Sequence, residues 1–320
     1  MLDCPPILAL VGPTAVGKTG LSLHVAELVS ARSSRSVEII SIDSRQVYKH
    51  VDIGTAKPSS NELSSVPHHF IDELEPTVPF SAGRFATEAE KRITNVLERG
   101  RLPLLVGGST LYLEALVHGI ASIPKTSPET RSQLTSRLKR DGPEALYEEL
   151  TRVDPIAAAS MDASKTQRII RALEVHKDTG TPISTWQRDI RPPSYAFHVR
   201  VLSRTRPHLY RRIEARVDAM LDLGLLDEVR GLLEAGYPPT MPAFATIGYR
   251  EPLAFLQGDI DRSEMERLLK RNSRRYAKRQ LTWFRRRGAY AWHDVQAEDS
   301  TEDLSLLAEQ LADVALDQRP

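Results

Sequence analysis

Apolar, β-branched runs recur at residues 7–11, 37–42, 102–106 and 197–202, and segments of helical character separate the first three. That alternation predicts a parallel sheet covered by helices. Between Ser122 and Pro193 the pattern changes to polar helical stretches bounded by Pro124, Pro128, Pro143, Pro155, Pro182 and Pro192-Pro193, with no convincing strand. This reads as an inserted helical subdomain. Residues 207–236 then carry Leu and Val at three- and four-residue spacing, punctuated by Gly224, and read as helices.

The first apolar run leads directly into Gly12-Pro13-Thr14-Ala15-Val16-Gly17-Lys18-Thr19, which fits G-x-x-x-x-G-K-[ST]. A strand ending at Val11 would hand the chain to glycines that let backbone N–H groups turn inward. A helix from about Lys18 would direct its positive dipole end at an anion. Lys18 adds a point charge and Thr19 a hydroxyl for Mg²⁺. The expected fold class is therefore α/β, a P-loop NTPase-like parallel sheet covered by helices with an inserted all-helical subdomain. Residues 1–121 would form the first part of the core, 122–194 the insertion, 195–292 the second part with a basic helix, and 293–320 an acidic tail.

With 320 residues, 41% hydrophobic and 27% charged, the chain can bury a sizeable core and suggests about two domains. The segment before the cradle lacks a basic leader and reads as a strand, not a signal peptide. No stretch approaches the roughly 18 apolar residues of a membrane span. The single cysteine, Cys4, excludes a disulfide framework and a Cys-rich zinc module. A cytoplasmic location and a monomer are the simplest expectations. The net charge of +1 conceals an asymmetry, because residues 267–287 hold ten Lys or Arg and no acid. Such a block favours a polyanionic partner. Residues 294–320, with eight acids against Arg319, read as solvated or weakly ordered.

Several constellations could carry chemistry. The second strand runs into Asp43-Ser44, placing a carboxylate at the carboxyl edge where open parallel sheets hold ligands. Asp43 could act as a general base, support Mg²⁺ at one remove, or cap the next turn. The third strand ends in Gly107-Gly108-Ser109 where many P-loop NTPases carry a metal-binding Asp. Its glycines either admit a ligand close to the backbone or simply make a turn. Gln167, Arg168 and Arg171 share one helical face, suited to phosphates and base edges or merely to solvent. In the basic block, Lys270/Arg271, Arg274/Arg275 and Lys278/Arg279 repeat every four residues among Tyr276, Trp283 and Phe284. That stripe could neutralise a nucleic-acid backbone, or be a solvated face paired with acids. His68-His69 lacks the neighbours that would complete a metal site.

Taken together, seven stretches carry a resemblance. They are Gly12 to Thr19, Asp43-Ser44-Arg45-Gln46-Val47-Tyr48, Asp52-Ile53-Gly54-Thr55-Ala56-Lys57-Pro58, Val106-Gly107-Gly108, Gln167-Arg168-Ile169-Ile170-Arg171-Ala172-Leu173-Glu174, Ile247-Gly248-Tyr249-Arg250 and Tyr276-Ala277-Lys278-Arg279-Gln280-Leu281-Thr282-Trp283. In this order the chain resembles the bacterial tRNA dimethylallyltransferases, also called tRNA isopentenyltransferases. The resemblance implies transfer of a dimethylallyl group from dimethylallyl diphosphate to N6 of the adenosine immediately 3′ of the anticodon, with Mg²⁺ and release of diphosphate. It implies Gly12 to Thr19 as the diphosphate cradle, Lys18 and Thr19 with Mg²⁺ on the leaving group, and Asp43 as the proton acceptor.

The same resemblance implies contact of the tRNA anticodon stem-loop with Asp43, Ser44, Arg45 and Gln46, and with Gln167, Arg168, Ile169, Ile170 and Arg171. Ser109 and Arg131 would flank the reaction channel, and Arg250, Lys278, Arg279 and Gln280 would join the RNA contacts. Arg212 and Arg216 are expected diphosphate partners. Two positions depart from the family: Ser109 replaces the usual Thr, and Phe244-Ala245-Thr246 replaces Met-Gln-Ala/Thr before Ile247. The cradle alone would also suit a kinase of a small metabolite or an NTP-gated RNA-binding protein.

Overall fold

The computed structural model describes residues 6–295 and 301–317. Contacts divide the chain into two compact units, Met1–Val117 with Ser194–Pro320, and His118–Pro193. The larger unit begins with strand β1 (Ile7–Val11), helix α1 (Lys18–Arg32), β2 (Val37–Ile42), α2 (Ser60–Ser65) and β3 (His68–His69). Helix α3 (Ala82–Glu98), β4 (Leu102–Gly107) and α4 (Thr110–Val117) complete its first part. The smaller unit comprises β5 (Ile120–Ala121), α5 (Pro128–Val153), α6 (Pro155–Ala159), α7 (Thr166–Thr179), α8 (Ile183–Trp186) and β6 (Ile190–Arg191). The chain then returns through β7 (Phe197–Ser203), α9 (Arg206–Asp222), α10 (Leu225–Glu234), α11 (Arg250–Leu256), α12 (Arg262–Arg285), β8 (Ala291–Asp294) and α13 (Thr301–Leu316).

Strands pair in the order β3-β2-β4-β1-β7-β8, and every pairing is parallel. β1 and β2 are buried along their whole length. Helices cover both faces of such a sheet, which is why β1 reads as an unbroken apolar run and β2 is interrupted only by the buried Glu38 and Ser41. β1 is central: Val11 lies opposite Gly107 of β4 on one side and Val201 of β7 on the other. Its carboxyl end therefore delivers the glycine-rich segment to the middle of the sheet edge. Helix α3 buries Phe85, Ala89, Ile93 and Val96, a stripe at four- and three-residue spacing. β3 and β8 add edge strands at either side, beyond the four expected runs.

The acidic carboxyl segment is not a solvated tail. It enters through β8, and α13 packs on α1 through Ala308, Leu311, Ala312 and Ala315, all within the core that holds Val25 and Val29. Arg32 reaches Glu309 and Asp313 across this contact. Apolar residues at helical spacing outweigh the acids because one face of a helix is enough to dock it. The remaining tail residues, 296–300 and 318–320, lie outside the described ones.

The insertion has its own core, in which Leu134, Leu146 and Leu150 of α5 meet Ile169, Ile170 and Leu173 of α7. Gly142, at φ 82°, and Pro143 break α5 into two helical segments. The unit is helical except for one antiparallel pair, where Ile120 of β5 opposes Arg191 of β6. Two-residue strands, half-buried in β5 and exposed in β6, leave no alternation for a sequence pattern to register.

Candidate active site at the carboxyl edge of the sheet

The cradle between β1 and α1 is built from unusual backbone. Gly12 (φ +155°) and Gly17 (φ +112°) bracket Ala15, which sits at φ 63°. A side-chain carbon on Gly12 would fall 2.6 Å from the Leu202 carbonyl oxygen, so glycine is required for the close approach to β7. Gly17 caps α1 without any side-chain hydrogen bond, leaving the first helical N–H groups to an incoming anion. Lys18 Nζ donates to the carbonyls of Gly12 (3.1 Å) and Pro13 (2.9 Å). Burial, then the nearby Arg216, push its ammonium down to about 7, with Asp43 opposing.

Three arginines border this loop. Arg204 Nε donates to the Val16 carbonyl (2.8 Å) and Arg212 Nε to that of Ala15 (2.9 Å). Arg216 reaches Thr14 Oγ1 and the Ala56 carbonyl, each at 3.4 Å. The family resemblance points to Arg212 and Arg216 but not to Arg204. Its signal is its place, one residue beyond the end of β7 at the ligand edge.

A cavity of about 760 Å³ opens beside the loop, with Thr14, Lys18, Thr19, Asp43, Gly108 and Arg216 in its wall. Asp43 follows β2 as expected. Its Oδ1 accepts from the backbone N–H groups of Arg45 (2.8 Å) and Gln46 (3.3 Å), so the turn-capping role is real. Oδ2 has no hydrogen-bond partner among the described residues and remains available for chemistry. Ser44, Arg45 and Gln46 also line the cavity. The Gln46 amide is already engaged, donating to the carbonyls of Thr55 (3.3 Å) and Ala56 (3.1 Å).

Gly107 and Gly108 turn out to be packing positions as well as cavity wall. An added carbon would lie 2.1 Å from the Ile42 carbonyl oxygen at Gly107 and 2.6 Å from Gln280 Nε2 at Gly108. Gln280 is 4% exposed. It accepts the Thr14 N–H at Oε1 (3.0 Å) and donates from Nε2 to the Gly108 carbonyl (2.7 Å). Its amide thus ties the cradle to the β4 turn, and the residue also lines the cavity. Ser109 begins the approach to α4 and does not line the cavity. At the family departure, Ala245 lines the cavity where Gln is usual, while Phe244 is buried.

Helix α12 divides its cations between two duties. Lys270 pairs with Asp218 (2.6 Å) and Arg274 with Glu214, both acids on α9. Arg275 and Arg279 face the cavity with Tyr276 between them in sequence, and Lys278 is exposed. One face of the stripe is thus paired with acids, and the other is exposed or turned to the cavity. Arg250 lines the cavity and donates to the buried Glu251 (2.7 Å).

In the insertion, Gln167 and Arg168 lie at the start of α7, both exposed. Ile169 and Ile170 are each 1% exposed, which corrects their expected place in an RNA surface. Arg131 donates to Glu174 (3.0 and 3.2 Å) and to Gln167 Oε1 (2.9 Å), and Arg171 to Thr126 Oγ1 (2.7 Å). Both arginines thus neutralise a carboxylate that is itself 1% exposed. His68 and His69 are structural, the first bonded to the Val66 carbonyl and the second to Glu38, each at 2.7 Å. Among the described residues no cluster of three or more His, Cys, Asp or Glu could hold a metal by itself.

A central strand feeding a glycine-lined anion cradle, with a carboxylate beyond β2, two places along the sheet, defines a P-loop protein equipped for group transfer. A family model described as IPP transferase matches residues 46–287. A tRNA dimethylallyltransferase of Salinibacter ruber is 54% identical over 303 residues, covering 93% of this chain and 92% of that protein. One from Roseiflexus castenholzii is 47% identical, covering 88% and 90%. The crystal structure of the Bacillus halodurans tRNA isopentenylpyrophosphate transferase is similar at a TM-score of 0.70 and 38% identity, covering 98% and 97% of the two chains. The chain belongs to the IPP transferase family.

Proposed function

We propose that the chain transfers the dimethylallyl group of dimethylallyl diphosphate to N6 of the adenosine immediately 3′ of the anticodon, in tRNAs that read codons beginning with U. The observation that carries this is Asp43, with one oxygen fixed by backbone N–H groups and the other unbonded among the described residues, in the same cavity wall as Lys18 and Arg216. The N6 nitrogen attacks the allylic carbon, the carbon–oxygen bond breaks, and diphosphate leaves with the bonding pair. Asp43 takes the N6 proton through Oδ2. Because the amine lone pair is delocalised into the purine, orientation and base assistance supply much of the acceleration.

Charge builds on the leaving diphosphate, and the cradle N–H groups, Lys18 and the flanking Arg212 and Arg216 oppose it. The Thr19 hydroxyl fits Mg²⁺, which takes one or two protein ligands and completes its shell with phosphate and water. Bound there, Mg²⁺ would neutralise diphosphate charge. An adenine stacked in an anticodon loop is out of reach, so it must be extruded into the cavity, where Tyr276 offers a stacking face. Arg275 and Arg279 at the cavity, with the exposed Lys278, suit the RNA backbone.

A small-metabolite kinase or an NTP-gated RNA-binding module would use the cradle but leave this cationic rim and the relatives' named activity without explanation. Labelled dimethylallyl diphosphate, Mg²⁺ and unmodified tRNA reading U-initial codons test the proposal. Label recovered on that adenosine by mass analysis supports it. No incorporation by folded, diphosphate-binding protein refutes it.

A further inference from the structure

The segment Asp52 to Ala56 joins the cradle to a part of the fold that the sequence motifs did not mark. Three successive backbone N–H groups, from Asp52 (2.9 Å), Ile53 (2.7 Å) and Gly54 (3.2 Å), converge on the carboxylate of Glu228 in α10. The hydroxyl of Tyr249 donates to the same carboxylate at 2.6 Å. Consecutive N–H groups of this kind form an anion nest, and here a side chain from a distant helix fills it. The packing around the nest is close. A carbon added to Gly54 would lie 2.5 Å from the Tyr249 ring, and one added to Gly248 (φ +101°) 2.5 Å from the Gly54 carbonyl oxygen.

The far side of this segment touches the site. The Ala56 carbonyl accepts from Gln46 Nε2 (3.1 Å) and from Arg216 (3.4 Å), and Arg216 also reaches Thr14 Oγ1. The Gln46 N–H in turn bonds Asp43 Oδ1. Ala56 itself sits at φ 49°, a left-handed conformation that a non-glycine residue keeps only where its surroundings enforce it.

We propose that Glu228, with Tyr249, is a positioning residue for the transfer reaction, because it clamps residues 52–54 and so sets the Ala56 carbonyl that aims Arg216 and Gln46. The proposal rests on the prenyl-transfer reading of the site. Glu228→Gln places an amide N–H where the backbone N–H groups need an acceptor, so the nest opens while side-chain volume is kept. The expected result is a turnover rate lowered about 10- to 100-fold at saturating substrates. Affinity for inorganic diphosphate, measured by calorimetry, should weaken about tenfold through Arg216. The Michaelis constant for tRNA should stay within about twofold, since no residue of the basic rim is touched.

A cycle with Arg216→Gln separates positioning from general loosening: the two effects on diphosphate affinity should fall well short of additive. Tyr249→Phe, which keeps the ring and removes only the hydroxyl, should show the same pattern at smaller size and serves if Glu228→Gln fails to fold. Diphosphate affinity and turnover within twofold of the parent, or effects that simply add to those of Arg216→Gln, would overturn the proposal. If the parent protein transfers no prenyl group yet Glu228→Gln still weakens diphosphate binding, the reaction reading fails and the clamp stands.

Discussion

Strand β2 carries a carboxylate near each end, and the fold treats the two in opposite ways. At the amino end Glu38, 2% exposed, meets both Arg99 nitrogens (2.6 and 2.9 Å), Arg101 (2.6 Å) and His69 (2.7 Å). Burial pushes its acid up, but the hydrogen bonds from Arg99, His69 and Arg101 outweigh this and hold it at about 2. At the carboxyl end Asp43 has one oxygen anchored to backbone N–H groups and the other unbonded among the described residues. A saturated carboxylate organises structure; a half-saturated one, held rigidly, can take a proton.

The largest effect that would break this contrast comes from Asp43. Asp43→Asn keeps an oxygen for the two backbone N–H groups and removes the base, so single-turnover transfer should fall about 10²- to 10⁴-fold. Binding of tRNA, followed by fluorescence anisotropy, should change less than about twofold. If turnover survives, Asp43 is only a capping residue.

Glu38→Gln should do the reverse, leaving turnover within about twofold and costing roughly 1–3 kcal/mol of stability in urea unfolding at pH 7. Arg99 and Arg101 are about 40% exposed and regain water, which limits the loss. The sign with pH follows from the lowered acid: the parent's advantage is complete above the ordinary value of 4.5 and is lost as pH falls toward about 2. An advantage that instead grows in acid would contradict the network.

The two faces of α12 sharpen the contrast further. Replacing Arg275 and Arg279 by Gln should flatten the salt dependence of tRNA affinity by about 0.7 to 0.9 for each phosphate no longer neutralised. Replacing Lys270 and Arg274, which α9 acids already pair, should leave the slope unchanged. The smallest effect concerns Lys18. With its ammonium at about 7 in the free protein, diphosphate binding near pH 8.5 should draw up to one proton as the anion restores the charge. Calorimetry in buffers of different ionisation heat reads that uptake, which should vanish below about pH 6 and in Lys18→Met.

The cradle, the four long strands and Asp43 were legible because each rests on a local pattern: spacing of glycines, continuity of apolar residues, a carboxylate just past a strand. The tie that Gln280 makes was not legible, because its neighbours Lys278 and Arg279 are exposed, and one turn of helix exposes some residues while burying the next. Ile169 and Ile170 sit in a motif with the more exposed Gln167 and Arg168, yet they face the insertion core. Helix α13 was hidden by its acids, although Ala308, Leu311, Ala312 and Ala315 keep helical spacing. Glu228 had no signature at all, since a carboxylate bound by backbone N–H groups selects no partner side chains.

The central claim is that the P-loop here grips the leaving group of an allylic donor, not ATP. Calorimetric titration of the protein with dimethylallyl diphosphate and, separately, with ATP, each with Mg²⁺ and with or without tRNA, tests it most directly. The isoprenoid diphosphate should bind in a Lys18-dependent manner, and ATP should not be cleaved. Protein that ignores the isoprenoid while binding and hydrolysing ATP would contradict it.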